Sequence, residues 1–409
     1  MECKPTTAGT GPLAGLRVLD FSRILSGPYA TLILSDLGAE VIKVEAIEKG
    51  DETRGFPPFK GPFSHYFIAL NRGKKSLALD LKSLEGVKIA RDLARTADVV
   101  VENFRPGVMD RLGLGYDALG ADNPRLCYCS ITGFGEDSPL TDKPAFDVVA
   151  QALSGIMSIN REAGGAPNRL GIPLGDMAGS IFAVFGILAA LVQRQTTGRG
   201  QRVDVAMLDG LLGMLGYLAQ IYFVSGKAPE PLGTKHASIV PYGSFPTRDG
   251  DIIVACLTER FWQNFARALG MPELASDPRF SEYATRLQNR GELDAIIDLR
   301  MRADDTDFWL KQLNDFDVPN APILDIAQAL EQPHVKARGL VEVTYHPAAG
   351  DMKVMRTPLR FAGAPLTASV PPPLLGEHTA EILRSILGLS ENRLADLVAD
   401  SVIFLARQP

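Results

Sequence analysis

Leu16-Arg-Val-Leu-Asp-Phe21, then Tyr29 to Leu37, then Glu40-Val-Ile-Lys-Val-Glu45 form the stretch whose reading decides the fold. Two short runs rich in branched apolar residues flank a segment with helical spacing, which predicts strand, helix, strand. The same rhythm continues outward. Ser76-Leu-Ala-Leu-Asp-Leu81, Asp98-Val-Val-Val-Glu102 and Leu126-Cys-Tyr-Cys-Ser-Ile131 read as further strands, and Glu85 to Ala97 reads as a helix with Val87, Ala90, Leu93 and Ala94 on one face. Strands alternating with helices build βαβ units. The expected fold class is therefore α/β, with a parallel, Rossmann-like sheet in a large domain and a smaller α+β domain. Ligands of such sheets bind at the carboxyl ends of the strands. The loops there are Ser22 to Pro28, Ala46 to Gly61, Asn71 to Lys75, Asn103 to Gly107 and Thr132 to Pro144.

From Pro139 onward the chain turns helical. Ala145 to Gly155 resembles a helix start, and Val205 to Val224 reads as one long, largely buried helix interrupted by Asp209 and Gln220. Gly226 to Pro231 reads as a linker. The domain boundaries expected are 1–225, 226–325 and 326–409, the last returning to the large domain and ending in a tail. The middle segment should hold strands Gly243 to Pro246 and Asp251 to Leu257, with helices near Phe261 to Leu269, Leu287 to Met301 and Asp305 to Phe316. A hairpin of Leu340 to Tyr345 with Met352 to Thr357 and helices at Glu377 to Leu387 and Glu391 to Leu405 follow.

Composition narrows the function. A chain of 409 residues with 46% hydrophobic and 22% charged content is that of a globular protein with more than one domain. The net charge of −6 is dispersed, and no basic stripe interleaved with aromatics marks a nucleic-acid face. Cys3, Cys127, Cys129 and Cys256 form no CxxC pair, which points to a reducing, cytoplasmic compartment rather than a disulfide scaffold. Five scattered histidines offer no metal-ligand spacing. Met1 to Gly11 has no apolar stretch of the signal-peptide kind. The longest apolar run, Ile181 to Val192, is twelve residues, too short to span a bilayer.

The chemically informative stretch is Gly171-Ile-Pro-Leu-Gly-Asp-Met-Ala-Gly-Ser180, ahead of that apolar run. Asp176 lies among small residues at the opening of a helix. The plain reading of such an aspartate is an N-cap. The chemical reading is a carboxylate nucleophile that a thioester can approach closely. Asn71-Arg-Gly-Lys-Lys-Ser76 gathers Arg72, Lys74 and Lys75 in a composition suited to phosphate, and Arg105 and Arg111 flank Pro106-Gly107. Gly133-Phe-Gly135 is a flexible loop at the same sheet edge.

Several stretches together resemble the family III CoA-transferases: Leu13 to Phe21 with Ser26-Gly-Pro28, Leu37 to Glu45, Gly50 to Arg54, Asn71 to Ser76, Glu102 to Gly107, Gly175-Asp176, Gly198-Arg-Gly-Gln201 and Gly376-Glu-His-Thr379. The resemblance runs from about Leu13 to Thr379. It implies that Asp176 attacks a donor acyl-CoA to give an aspartyl anhydride, then an aspartyl-CoA thioester, and that no metal or permanently bound cofactor takes part. It implies that coenzyme A and acyl-CoA, bound as substrate, meet Leu25, Ser26, Leu79 to Lys82, Asn103, Phe104, Arg105, Arg111 and Pro144 to Asp147, including Phe146. Ala46 stands where the family has a basic residue after the second strand, with Arg23 or Lys49 as replacements. The resemblance also implies an interlocked homodimer.

Phe146 stands where the racemases of this family carry an acid/base histidine, and phenylalanine cannot move a proton. Racemase or epimerase activity is thus disfavoured relative to transfer. The pattern looks closer to members acting on small dicarboxylates, with succinyl-CoA or a similar diacid thioester as donor. Arg169, Lys235 and His236 are the candidate cations for a second carboxylate on the acceptor. A nicotinamide dehydrogenase lacks its GxGxxG here, since the first strand runs into Ser22-Arg-Ile-Leu-Ser-Gly27. A non-catalytic acyl-CoA binder stays open, because it would keep the basic loops with no use for Asp176.

Overall fold

The computed structural model describes residues 10–363, 366 and 369–406, so Cys3 lies outside the described residues. Two compact units divide the chain. Met1–Gly155, Leu170–Leu215 and Pro333–Pro409 form the first, and Ile156–Arg169 with Gly216–Gln332 form the second.

The first unit opens with β1 (Arg17–Asp20), α1 (Ser26–Asp36), β2 (Glu40–Glu45) and a small hairpin of β3 (Phe59–Lys60) and β4 (Phe63–Ser64). It continues through α2 (His65–Asn71), β5 (Lys75–Leu79), α3 (Leu84–Ala94), β6 (Val99–Glu102), α4 (Val108–Arg111), α5 (Tyr116–Asp122), β7 (Cys127–Thr132) and α6 (Asp147–Leu153). After α7 (Ile156–Ile159), which belongs to the second unit, come α8 (Leu174–Thr197), β8 (Arg202–Ala206) and α9 (Met207–Met214). The strands β5-β2-β1-β6-β7-β8 pair in parallel in that order. Sequence order therefore reverses at β1, whose neighbours are β2 and β6. The crevice beyond the carboxyl ends of β1 and β6 is where such a sheet binds ligands.

Both sheet faces are apolar because successive strand residues point to opposite sides. Leu19, Ile42, Leu77 and Val100 pack with Leu93, Leu383 and Leu397 on one face, while Val18, Val41, Val99, Val101 and Cys129 pack with Leu34, Ala183 and Ile187 on the other. The β1-to-α1 turn is closed by Gly27, where a Cβ would lie 2.1 Å from that of Ser22. Helix α1 begins at Ser26, so part of the expected 22–28 loop is its first turn.

Helix α8 is 24 residues long, twice the apolar run read from the sequence, because the small residues of its first turns and the polar last turn both continue it. By length and composition it could cross a membrane, yet half of its most apolar window is buried. It lies against β7 and β8, where Gly179 faces Ile131 and Gly186 faces Val203.

The single helix expected over 205–224 is not formed. Val205 and Ala206 complete β8, and Gly216, at φ +52°, separates α9 from α10 (Tyr217–Ser225), whose residues are all exposed or half-buried. In the second unit β9 (Tyr242–Pro246) and β10 (Asp251–Ala255) follow, then α11 (Glu259–Ala268), α12 (Tyr283–Gln288), α13 (Arg290–Met301), α14 (Thr306–Asp315), β11 (Asn320–Pro322) and α15 (Ile326–Glu331). Its antiparallel sheet, ordered β11-β10-β9, shares a core with these helices built on Trp262, Phe265, Phe280 and Trp309. The helix expected over 287–301 is interrupted at Asn289.

The first unit resumes with α16 (Pro333–Arg338), the hairpin β12 (Val341–His346) and β13 (Gly350–Met355), α17 (Thr379–Leu387) and α18 (Glu391–Ala399). The expected helix to residue 405 stops at Ala399, since Ser401 takes φ +56° and turns the chain into β14 (Ile403–Phe404). That strand pairs antiparallel with β5 and makes the sheet mostly rather than wholly parallel.

Candidate active site

Asp176 is the third residue of α8 rather than its cap. Pro173 stands at the cap position and supplies no side-chain bond. The helix is capped from outside instead. Asp147, the first residue of α6, accepts the Gly175 N–H at 2.7 Å through Oδ1 and the Gln151 amide at 2.7 Å through Oδ2. The half-buried Asp176 carboxylate has no hydrogen bond or ion pair among the described residues. Burial, and then the neighbouring charge of Asp147, raise its pKa to about 7. Tyr66 on α2 feels the same two charges and that of Asp51, which with burial raise its phenol. One turn beyond Asp176, the buried Ser180 hydroxyl donates to the Ser26 carbonyl at 2.6 Å, tying α8 to the start of α1.

Asn103, just past β6, closes the crevice at the sheet's switch point. Its Oδ1 accepts the Arg23 N–H at 2.7 Å, and its Nδ2 donates to the Arg23 carbonyl at 2.8 Å and to Ser26 Oγ at 3.3 Å. A cavity of about 470 Å³ opens at this edge, with Arg23, Ala46, Asp51, Leu79, Lys82 and Phe104 in its wall. The Arg23 guanidinium sits over the Phe104 ring at 4.8 Å and pairs with Glu52. Of the two cations considered as replacements for the basic residue absent at Ala46, Arg23 lines this cavity and Lys49 does not.

The expected three-cation phosphate grip is not built. Arg72 is buried against Asp36 and donates to the Met355 carbonyl at 2.8 Å. The Lys74 ammonium, fully buried, meets Asp20 at 3.1 Å, Asn71 Oδ1 at 2.9 Å and Thr31 Oγ1 at 2.8 Å. Lys75 bridges Glu40 and Glu381. A charge committed to a buried carboxylate has little left for a ligand. Lys82, Arg105 and Arg111, by contrast, are exposed and have no ion pair among the described residues.

The remaining expected residues fall as follows. Leu25 is the buried cap of α1, and Ser26 is its first residue. Phe146 caps α6 and is 72% exposed. Gly133 packs against Ala145, while Gly135, at φ +83°, donates its N–H to Thr132 Oγ1 at 2.9 Å. In the second unit Arg169 is exposed, and Lys235 pairs with Asp294 at 2.5 Å. His236 Nδ1 accepts the Ser238 and Ile239 N–H groups, its ring stacks on Tyr217, and burial followed by Arg290 lowers its pKa. Among the described residues no three His, Cys, Asp or Glu side chains gather as a metal site requires.

Sequence reading missed a buried ionic network under the cavity. The Lys43 ammonium meets Asp51 at 2.9 Å and the Ser22 carbonyl at 2.8 Å, and Glu45 holds Arg54 at 2.7 Å and Ser76 Oγ at 2.6 Å. Burial alone would raise these acids. Lys74 and Lys43 nevertheless hold Asp20 low, Arg54 holds Glu45 low, and Lys43 with the Thr53 N–H holds Asp51 at about 2. The available signal was Asp20 and Lys43 standing inside otherwise apolar strands, since unpaired charges are not buried there.

Together these features define a doubly wound α/β protein with one uncompensated acid at the head of a core helix and a cavity at the carboxyl edge of its sheet. CoA-transferase family III matches residues 13–379. The chain is 38% identical over 393 residues to succinyl-CoA:glutarate CoA-transferase of Homo sapiens, covering 96% of this chain and 90% of that protein. It is 40% identical over 332 residues to acetyl-CoA:oxalate CoA-transferase of Acetobacter aceti, covering 81% and 85%. A crystal structure of a CAIB/BAIF family protein from Brucella suis superposes with a TM-score of 0.83 at 38% identity, covering 92% of this chain and all of that one. The chain belongs to CoA-transferase family III and is a CoA-transferase.

Proposed function

We propose that this enzyme moves CoA from succinyl-CoA or a similar diacid thioester to a small dicarboxylate, with Asp176 as the covalent carrier. The observation that carries the reading is the Asp176 carboxylate, half-buried at the head of α8 with no cation or donor to quench it among the described residues. An Asp176 oxygen attacks the donor's thioester carbon, the C–S bond breaks, and CoA thiolate leaves an aspartyl anhydride. The thiolate attacks the aspartyl carbonyl and expels the donor acid, leaving an aspartyl-CoA thioester. The acceptor carboxylate then displaces the thiolate to form a second anhydride. Return of the thiolate to the acceptor's acyl carbon frees Asp176 and releases the new thioester. Each attacking group is an anion, so no general base is needed, and the site must chiefly keep water from the anhydride.

The cavity at the β1, β2 and β5 edge suits the nucleotide end of CoA. Lys82 on its wall and Arg105 and Arg111, which have no ion pair among the described residues, are the cations left for phosphate, and Arg23 joins them by giving up the exposed Glu52. His236 and Arg169 remain candidates for the acceptor's second carboxylate, whereas Lys235 already faces Asp294. An interlocked homodimer and a reducing, cytoplasmic setting belong to the same reading, the latter suited to the buried free thiols of Cys127, Cys129 and Cys256. The diacid preference rests on relatives such as the glutarate and oxalate enzymes. It is tested by offering succinyl-CoA with a panel of C2 to C6 diacids and matching monoacids and following the new thioester by chromatography. Transfer to diacids is expected, and transfer only to monoacids would overturn the substrate assignment.

A further inference from the structure

Asp147 was expected among the CoA contacts, yet both of its carboxylate oxygens are spent inside the protein. Oδ1 takes the Gly175 N–H, one of the first-turn donors of α8 that the helix cannot satisfy itself. Oδ2 takes the amide of Gln151, one turn along α6. Gln151 is wholly buried and ties the approach loop as well, accepting the Leu170 N–H at 2.9 Å through Oε1 and lying 3.4 Å from the Ile172 carbonyl. Gly175 allows the close fit, since a Cβ there would meet Asp147 Oδ1 at 3.1 Å and Leu211 Cδ1 at 3.3 Å.

We propose that Asp147, locked by Gln151, is a positioning residue for CoA transfer: it caps α8 from outside and supplies the negative charge beside the Asp176 carboxylate. The proposal rests on the reading of Asp176 as the nucleophile. Other elements packed near the head of α8 bring little charge. Helix α2 brings the Tyr66 phenol, α1 brings Ser26, and β7 and α9 bring Ile131, Met207 and Leu211. Among the described residues, Asp147 is the charged group that acts on Asp176 alongside burial. Such a charge disfavours a second anion and so keeps the carboxylate a stronger base and nucleophile.

The test is the pH dependence of kcat/KM for the acyl-CoA donor. The wild-type acid limb should have its midpoint near the Asp176 value of about 7. Asp147→Asn keeps an oxygen for Gly175 while removing the charge. Its midpoint should fall by about one pH unit and its kcat by about tenfold, with KM for acyl-CoA within about threefold. Asp147→Asn with Gln151→Glu returns a carboxylate one turn along α6 and restores a donor–acceptor match between positions 147 and 151 while keeping the acceptor for the Leu170 N–H, so it should recover part of both losses. It also carries the test if the single variant folds poorly. An unchanged acid limb in both variants overturns the proposal. So does a tenfold rise in KM at constant kcat, which makes Asp147 a CoA contact. Hydroxylamine trapping of the wild-type acyl adduct is run alongside. Its absence from Asp176 would sink the nucleophile reading itself, whereas its presence with an unmoved limb sinks only the role of Asp147.

Discussion

Asp51 and Asp176 belong to the same unit, both are withdrawn from water, and their proton affinities are opposite. Asp51 meets Lys43 at 2.9 Å and the Thr53 N–H, and although burial pushes it up it rests at about 2. Asp176 meets no cation among the described residues, and burial together with Asp147 pushes it to about 7. The contrast separates architecture from chemistry. Under the cavity Asp20, Glu45 and Asp51 each meet a cation, and the region serves as a footing for the site. At the head of α8 one acid is left uncompensated, which costs stability and is the kind of exception that marks a working group.

Breaking each side of this comparison should have different consequences. The largest effect is expected at Asp176→Asn, which should lower kcat by about a thousandfold or more while CoA binding, followed by calorimetry, stays within about threefold. On the other side, Lys43→Met strands Asp51 and should cost about 3–5 kcal/mol of folding stability, measured by urea denaturation.

The sign of the pH effects sharpens the contrast. Because the folded pKa of Asp176 is raised above its ordinary 3.8, its contribution is most favourable below pH 4 and is lost as pH rises through about 7. Asp176→Asn should therefore match wild type in stability near pH 4 and exceed it by about 2 kcal/mol at pH 8, where the wild type buries a charge. For Asp51 the sign reverses. Its lowered pKa stabilises the fold above pH 4 and that support is lost as pH falls toward about 2, so acid unfolding of Lys43→Met should lack this component. The smallest effect distinguishes spent from free cations. Lys82→Ala should raise KM for acyl-CoA by about fivefold, since an exposed phosphate contact is worth about 1 kcal/mol, whereas Arg72→Ala should lower stability and leave KM unchanged.

The βαβ order was legible because β1, β2, β5, β6 and β7 are apolar runs set apart by amphipathic or turn-rich segments, a signal that lies within each segment. Asp176 was legible as a candidate from its small neighbours, but its true setting was not, since the external cap on its helix comes from Asp147, 28 residues before the capped Gly175. The Asn71 to Ser76 cluster misled for the same reason. Composition counts Arg72 and Lys74 as available, and only the fold brings Asp36 and Asp20 onto them across 36 and 54 residues. The break at Gly216 was hidden by the apolarity on either side of it, where a glycine at positive φ divides a partly buried helix from one with no buried residue.

The most direct measurement is intact-protein and peptide mass spectrometry after brief mixing with succinyl-CoA and no acceptor. A CoA adduct in thioester linkage should map to the peptide carrying Asp176, disappear when a diacid acceptor is added, and be absent from Asp176→Asn. An adduct on another residue, or steady turnover by Asp176→Asn at the wild-type rate, would contradict the account.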